Sequence, residues 1–455
     1  MTLAVVLILL VIGTVLFHFL SPWWFTPLAS NWGMVDTTVD ITFWVTGIVF
    51  IAVNLFLAYV VVRYHHHKGQ KADYDPENKK LEIWLTVITS IGVAAMLAPG
   101  LFVWAKFVNV PDDAAEVEVV GQQWHWSYRY PGEDGEFGTV DPSLISLDNP
   151  FGLNPDDING QDDVLISDPI LHLPLDQPVK LLLRSKDVLH NFTVPQFRVK
   201  MDMVPGMVTY MWLTPTRTGE FDILCEEFCG IAHFAMRGRV VVQEQQEFDR
   251  WLSGQPTYGQ LSSAAGGDAN TGQALYAVCA ACHGAQGEGN QALNAPKLSG
   301  QDSWYLSRQL KNYKQGSRGT HPDDVYGQQM VPMVATLTSD QAIKDVVAYI
   351  ATLPDQPSPA TLSGNVRKGA AIYETCASCH GADGRGIWSQ NAPRQSGISD
   401  WYLARQLSNF KQGIRGSHRN DIYGAQMAAM ARILADDEAI NDLVAYINTL
   451  DSEGG

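Results

Sequence analysis

Three uncharged apolar runs open the chain, at residues 3–20, 41–62 and 84–104. Each is long enough to cross a bilayer as a helix, the form that leaves no backbone group without a partner in lipid. Aromatic residues gather near the ends of the second and third (Phe43, Trp44, Tyr59, Tyr64, Trp84, Trp104), where a membrane interface would hold them. Residues 41–62 and 84–104 are therefore expected to span a membrane. The run at 3–20 lacks a basic start and an A-x-A cleavage site, so a third, retained helix is expected, with a processed leader as the alternative. Beyond Trp104 the pattern changes twice. Residues 105–252 break into short β-like runs, among them 117–120, 179–183, 207–213 and 239–242, punctuated by Pro and Gly as in an all-β sandwich or barrel. Residues 271–353 and 365–455 read as helical. Ile343, Val346, Val347 and Ile350 form an i, i+3, i+4, i+7 stripe that Ile440, Leu443, Val444 and Ile447 repeat, and Ser339 stands as an N-cap before the first. Residues 253–270 and 354–364 read as linkers, the first of them flexible.

Charge sets the orientation. Arg63, Lys68, Lys71, Lys79 and Lys80 lie between the second and third runs, whereas residues 21–40 hold no Lys or Arg. The positive-inside bias makes that basic loop cytoplasmic and everything after Trp104 extracytoplasmic. His65, His66 and His67 read as part of this solvated loop rather than as a metal site. The whole chain carries 48 acidic against 31 basic residues, a net of −17, which excludes a nucleic-acid binder held by a basic surface. Residues 105–250 alone hold 24 acidic and 11 basic side chains, a net of −13. That fits simple solubility or a cationic partner.

All six cysteines fall in close pairs. Cys279-Ala-Ala-Cys282-His283 and Cys376-Ala-Ser-Cys379-His380 both match C-x-x-C-H, in which two thiols attach a haem covalently and the next residue supplies an axial imidazole. A shift of 97 residues overlays the two regions without a gap. Gly272 falls on Gly369, Asn294 on Asn391, Trp304 on Trp401, Lys314 on Lys411 and Tyr326 on Tyr423. So long a period means tandem domains rather than a solenoid. Units under a hundred residues have thin cores, and a covalent haem would supply much of each. The sixth iron ligand is expected to be Met330 or Met333 in the first unit and Met427 or Met430 in the second, since Met ligation raises the potential for electron transfer. His321 and His418, which also recur, offer bis-His ligation as an alternative.

The third pair stands in the β-rich region as Cys225-Glu226-Glu227-Phe228-Cys229-Gly230-Ile231-Ala232-His233-Phe234-Ala235-Met236, with His190 upstream. Two thiolates, two imidazoles and a thioether are a soft set suited to copper, and the second thiolate allows two coppers bridged by two sulfurs. Zinc is the rival metal for two Cys and two His.

The C-x-E-x-C-x3-H-x2-M run, His190, the segment Lys200-Met201-Asp202-Met203-Val204-Pro205-Gly206 and the stretch Gly121–Tyr130 together resemble subunit II of haem–copper cytochrome c oxidases. The repeats resemble class I cytochromes c, especially the tandem diheme cytochromes c4, and the fused arrangement resembles the caa3 type. The resemblance implies a multidomain membrane protein: N-terminal transmembrane helices, an all-β cupredoxin-like domain with dinuclear CuA, then two tandem all-α cytochrome c domains. It implies that Cys225 and Cys229 bridge two coppers completed by His190, His233, Met236 and the Glu227 carbonyl. The Glu227 carboxylate would reach a magnesium shared with subunit I, Trp124 would lie on the electron-input face, and Lys200 and Asp202 would face subunit I. In many cytochromes of this class the axial Met lies seven residues before a Leu preceding the last helix, which favours Met330 and Met427. Three departures stand out: the apolar run at 3–20 is extra, residues 131–170 form a longer insertion, and Met207 stands where an Arg often follows Pro-Gly.

The function so implied is that of an electron-input subunit. Electrons would arrive from a soluble or membrane donor (cytochrome c or a bc1-type complex), pass through two haems c and CuA, and reach the haem–copper centre of subunit I. Oxygen reduction with proton pumping would occur there, not on this chain. The expected setting is a multi-pass protein of the bacterial inner membrane, in contact with lipid, subunit I and other oxidase subunits, with its metal domains periplasmic. The tether at 253–271 would keep the cytochromes at high effective concentration near the copper. A CuA-type nitric oxide reductase and a free-standing membrane-anchored electron carrier are the alternatives.

Overall fold

A computed structural model describes residues 2–21, 26–66, 69, 71, 76–147, 149–263, 266–356 and 358–450. His67 and Lys68 of the basic loop, Ala264 and Ala265 of the first linker, Pro357 of the second and the last five residues of the second cytochrome unit lie outside the described residues. Three apolar helices come first: α1 (Thr2–Leu20), α2 (Gly33–Arg63) and α3 (Lys79–Val108). α2 and α3 are longer than the runs at 41–62 and 84–104. At 1.5 Å per residue each extends about 45 Å, against about 30 Å of hydrocarbon. α1 lies along α2, with Ala4 and Val11 buried and the His18 ring 6.4 Å from that of Phe43.

The start of α2 and the end of α3 seat the next domain. Just before α2, Trp32 is buried, and its indole donates to the carbonyl of Trp212 at 2.8 Å. Ala29 and Asn31 donate their backbone N–H groups to the carbonyls of Gln196 and Thr214, and Arg198 pairs with Asp36 of α2 at 2.6 Å. At the end of α3 the Phe107 carbonyl accepts from the Trp212 indole at 3.0 Å. The start of α2 and the end of α3 thus meet the same domain, so the loop joining their other ends lies on the far side of the bilayer from it.

Among the described residues, ten strands build two five-stranded sheets packed face to face. They are β1 (Ala115–Gln122), β2 (His125–Tyr130), β3 (Val164–Ile166), β4 (Ile170–Pro174), β5 (Val179–Ser185), β6 (His190–Val194), β7 (Val199–Met203), β8 (Val208–Leu213), β9 (Gly219–Cys225) and β10 (Arg237–Gln243). One sheet runs β3-β2-β1-β5-β8 and the other β4-β10-β9-β6-β7, with β1/β5 and β4/β10 parallel. Alternation makes the core: Val179, Leu181 and Leu183 of β5 point in, as do Val240 and Val242 of β10. β2 alternates too, yet both of its faces are buried. Trp126, Tyr128 and Tyr130 fill the sandwich, while on the outer face Arg129 pairs with Glu118 at 2.7 Å and with Asp163 at 2.8 Å. Asp163 comes from the insertion at 131–170, which folds back over this face.

Part of the stretch read as a linker is folded. After α4 (Gln245–Ser253), residues Tyr258–Ser263 form a helical turn, α5. Tyr258 is buried with Val120, Phe151, Leu153 and Leu165, and Thr257 bridges to Val164. The Tyr258 ring and the backbone N–H groups of Tyr258 and Gly259, which donate to the carbonyls of Asp163 and Gln161 at 2.8 Å each, fasten this stretch to the insertion.

Each cytochrome unit has four helices. The first holds α6 (Ala269–His283), α7 (Ser303–Lys314), α8 (Val325–Val334) and α9 (Asp340–Ala351). The second repeats them as α10 (Val366–His380), α11 (Asp400–Lys411), α12 (Ile422–Ala431) and α13 (Asp437–Leu450). First and last helices cross at Gly272 and Gly369, where a Cβ would overlap the carbonyl of Asp345 or Asp442. The stripe Ile343, Val346, Val347 and Ile350 is buried, and the Ser339 hydroxyl accepts from the Ala342 N–H at 3.1 Å.

Candidate functional site

The end of β9, the start of β6 and the loop before β10 bring six groups together. Cys225 and Cys229 are buried with their sulfurs 3.7 Å apart. His190 Nδ1 lies 3.9 Å from Cys225 Sγ, and His233 Nδ1 lies 3.4 Å from Cys229 Sγ. Met236 Sδ is 3.7 Å from Cys229 Sγ, and the Glu227 carbonyl oxygen is 3.2 Å from Cys225 Sγ. The pairing of Phe192 with Cys225 across β6 and β9 delivers His190 to a loop 35 residues away. His190 Nε2 faces Asp187 Oδ1 at 2.8 Å, which orients the ring and leaves Nδ1 to the sulfurs. Asp187 also accepts from the backbone N–H groups of Gln123 and Val188, each at 2.7 Å.

The hydrogen bond between the two sulfurs lowers the Cys225 thiol and raises that of Cys229, and burial raises Cys229 further. Left to itself the pair therefore retains a proton. Two adjacent buried thiolates require a cation beside them. Burial works against charge on His190, but its hydrogen bonds to Asp187 and Cys225 raise its pKa. The donor set thus fits a soft metal.

Each cytochrome unit has a cleft above its first helix. Cys279, Cys282, His283, Met330 and Met333 line the first. Cys376, Cys379, His380, Met427 and Met430 line the second. Nδ1 of His283 and of His380 donates at 2.7 Å to the carbonyls of Pro296 and Pro393, which leaves Nε2 as the free lone pair in both. Burial lowers His283 and pushes His380 down to about 4, so both rings are neutral at pH 7. The clefts are otherwise largely apolar, with Leu306 and Leu310 in one and Leu403 and Leu407 in the other. Buried Arg318 lines the first cleft and Arg415 reaches the second, each with an Nε that finds no hydrogen-bond partner among the described residues. Paired thiols, a neutral imidazole, an apolar slot and a cation with a spare donor fit a haem and its propionates.

Known proteins place this chemistry. The profile of the cytochrome c oxidase subunit II periplasmic domain matches residues 115–244, and that of cytochrome c matches 269–354 and again 366–451. An alternative cytochrome c oxidase subunit 2 of Bradyrhizobium diazoefficiens is 61% identical over 262 residues, 58% of this chain and 95% of that protein. The chain belongs to the cytochrome c oxidase subunit 2 family. A more distant member, from Cereibacter sphaeroides, is 28% identical over 235 residues, 50% of this chain and 77% of its own. Reduced cytochrome c4 from Pseudomonas stutzeri matches 40% of this chain and 97% of its own at 29% identity, with a TM-score of 0.33.

As a subunit 2 the chain feeds electrons to a haem–copper oxidase, working in complex with subunit I and other oxidase subunits. It carries copper in its cupredoxin-like domain and haem c in its cytochrome domains. Its N-terminal helices anchor it in a membrane with these domains on the extracytoplasmic side. Of the sequence-derived candidates, His321 and His418 do not join the others. They line a separate cavity between the loops 317–322 and 414–418 and are absent from the lining of both haem clefts. Met333 is 39% exposed, and Met430 packs against the copper-domain core, whereas Met427 is wedged between two clusters of its own unit. Lys200 pairs with Glu226 at 2.8 Å, and Asp202 accepts from the Asn191 amide at 2.6 Å.

Trp124 is buried, and its indole donates to the Cys229 carbonyl at 3.1 Å. Sequence reasoning missed Asp187, a charged residue in an ordinary polar turn with no motif to mark it. It also missed the contacts between the two cytochrome units, which obey the 97-residue shift. Arg318 donates to the Tyr402 hydroxyl at 2.8 Å and Arg415 to that of Tyr305 at 3.1 Å. Arg308 likewise meets Asn391, and Arg405 meets Asn294. The units therefore face each other about a pseudo-twofold axis, and the repeat alignment held that signal.

Proposed function

We propose that this subunit, in a bacterial inner membrane, carries one dinuclear copper cluster and two haems c and passes electrons from a cytochrome c or bc1-type donor toward an oxygen-reducing subunit I. The reading rests on the convergence of two cysteines, two histidines, a methionine and a backbone carbonyl in the periplasmic domain of an oxidase subunit. Bound there, the copper pair and the haems would supply one-electron relays at little reorganisation. Cys225, Cys229, His190, His233, Met236 and the Glu227 carbonyl would hold the copper pair. Asp187 fixes the His190 ring. The Glu227 carboxylate would help hold a magnesium shared with subunit I, and Lys200 and Asp202 would face that subunit. In the cytochrome units Cys279, Cys282, His283 and Met330, and likewise Cys376, Cys379, His380 and Met427, would hold the haems. Arg318 and Arg415 hold propionates. The domain bounds proposed with it are 1–104, 105–252, 271–353 and 365–455, with 253–270 and 354–364 between them.

Metal and haem counts on the purified complex test this. Two coppers sharing one unpaired electron in the oxidised state, with two covalent haems per chain, are expected. A single copper, or zinc in its place, would overturn it.

A further inference from the structure

The repeat supplies an internal comparison. The same surface of α8 and α12, beside the axial Met, meets different surroundings in the two units. In the second unit it lies on the copper domain, with α12 against the turn His233–Ala235. The Gln426 amide donates to the Trp124 carbonyl at 2.5 Å, and the Trp124 indole donates to the Cys229 carbonyl. Ala429, Met430 and the haem-attaching Cys379 pack against the copper-domain core. Nearby, the Asn391 amide lies 3.2 Å from His125 Nδ1, and the Tyr423 hydroxyl donates to the Ser167 carbonyl at 3.0 Å. In the first unit the corresponding Gln329, Pro332, Met333 and Cys282 are exposed. So is Val278 beside them, at 44%.

On the functional reading above, we infer that the two cytochrome units work in a fixed order: the first (269–354) receives electrons from outside, and the second (366–451) is the permanently docked donor to the copper cluster. A face that in one copy meets a redox domain is left open in the other. Its occupant is a one-electron donor protein presenting the edge of its own redox group to the apolar rim around Cys282. Each turnover moves one electron. The donor is oxidised by one, the first unit is reduced and then reoxidised by the second, and the second is reoxidised by the copper cluster. No bond or proton is transferred. Within the chain, the covalent step from Gln426 to Met427 and the two hydrogen bonds through Trp124 link the second cleft to Cys229. Arg318 and Arg415, at the seam between the units, tie the first cleft to the second.

The test uses the complete oxidase complex purified through this chain. Variants C279A/C282A and C376A/C379A remove one haem each. An electron injected photochemically at the copper is followed as it equilibrates with the remaining haem, and oxidation of reduced cytochrome c is measured separately. Fast copper–haem equilibration should survive in C279A/C282A and be lost in C376A/C379A, with donor oxidation lost in both. The reverse pattern overturns the order. Since loss of a haem can unfold its unit, surface variants give a second arm in which both haems remain. Q329K should raise the KM for cytochrome c several-fold with copper–haem equilibration unchanged, and Q426K should slow that equilibration with KM unchanged. Exchange of these two effects overturns the inference. A complex without the copper signal would instead overturn the functional reading itself.

Discussion

Asp187 is the sharpest place to test how the copper site is built. Its carboxylate accepts from His190 Nε2 at 2.8 Å and from the Gln123 and Val188 N–H groups at 2.7 Å each. Asp187→Ala leaves three donors unpaired and frees the His190 ring to rotate away from the sulfurs. Losing a partner that orients a metal-ligating histidine costs about 10- to 100-fold in metal affinity, or about 1.4–2.7 kcal/mol. Asp187→Asn keeps the shape and one acceptor oxygen but loses the charge. Charge-assisted hydrogen bonds are about twice as strong as neutral ones, so this variant should lose about 1 kcal/mol, or roughly fivefold in affinity. Competition with a graded copper chelator, followed through the copper–thiolate absorbance, ranks the variants. The expected order of retention is wild type, then Asn, then Ala. Equal retention in all three would show that the ring is held by packing against Trp126, whose centroid is 6.2 Å away, and would refute the reasoning.

Three further outcomes are expected. Arg129→Met strips Glu118 and Asp163 of a shared buried partner and should cost about 3–5 kcal/mol of stability, read by denaturant unfolding of the apo-chain; an unchanged midpoint would contradict the ion-pair reading. His125, buried against the second cytochrome unit, is pushed down to about 3 chiefly by burial and also by Lys186 and Arg308; since the unfolded ring titrates near 6.5, stability should fall as pH drops from about 6.5 toward 3, by up to about 1.4 kcal/mol per pH unit, with His125→Gln flattening the profile. Met427→His should lower the midpoint potential of one haem by on the order of 0.1 V or more, within the ~0.8 V that axial ligands span, while Met430→Leu should leave both potentials in place in a spectroelectrochemical titration.

What the sequence made legible was local. Cys279, Cys282 and His283 sit on one helix, so their spacing is their geometry, and the same holds for Cys376, Cys379 and His380. Cys225, Cys229, His233 and Met236 belong to one loop closed by the turn His233–Ala235. His190 reaches that loop only through the register of β6 against β9, which no spacing encodes; the family resemblance supplied it. The transmembrane runs were visible as apolar stretches, but the extra turns of α2 and α3 were not, because their surplus residues are mixed in polarity. The segment at 253–271 looked flexible by composition, yet its part around Tyr258 is packed and hydrogen-bonded to the copper domain. The seat of the second cytochrome unit was hidden for a different reason. Its contacts join residues far apart in the chain, as with Gln426 and Trp124 or Arg419 and Glu220, through single side chains that carry no pattern. Gln329 and Gln426 are the same residue in the repeat, yet one is exposed and the other donates to the copper domain.

On the proposed function, this chain delivers electrons to an oxygen-reducing partner. The most direct measurement is gas consumption by the complex purified from native membranes through a tag on this chain, with reductant supplied and oxygen and nitric oxide followed side by side. Fast cyanide-sensitive oxygen uptake that requires the copper cluster is the predicted result. Nitric oxide turnover without oxygen uptake, or a chain that purifies alone and turns over neither gas, would contradict it.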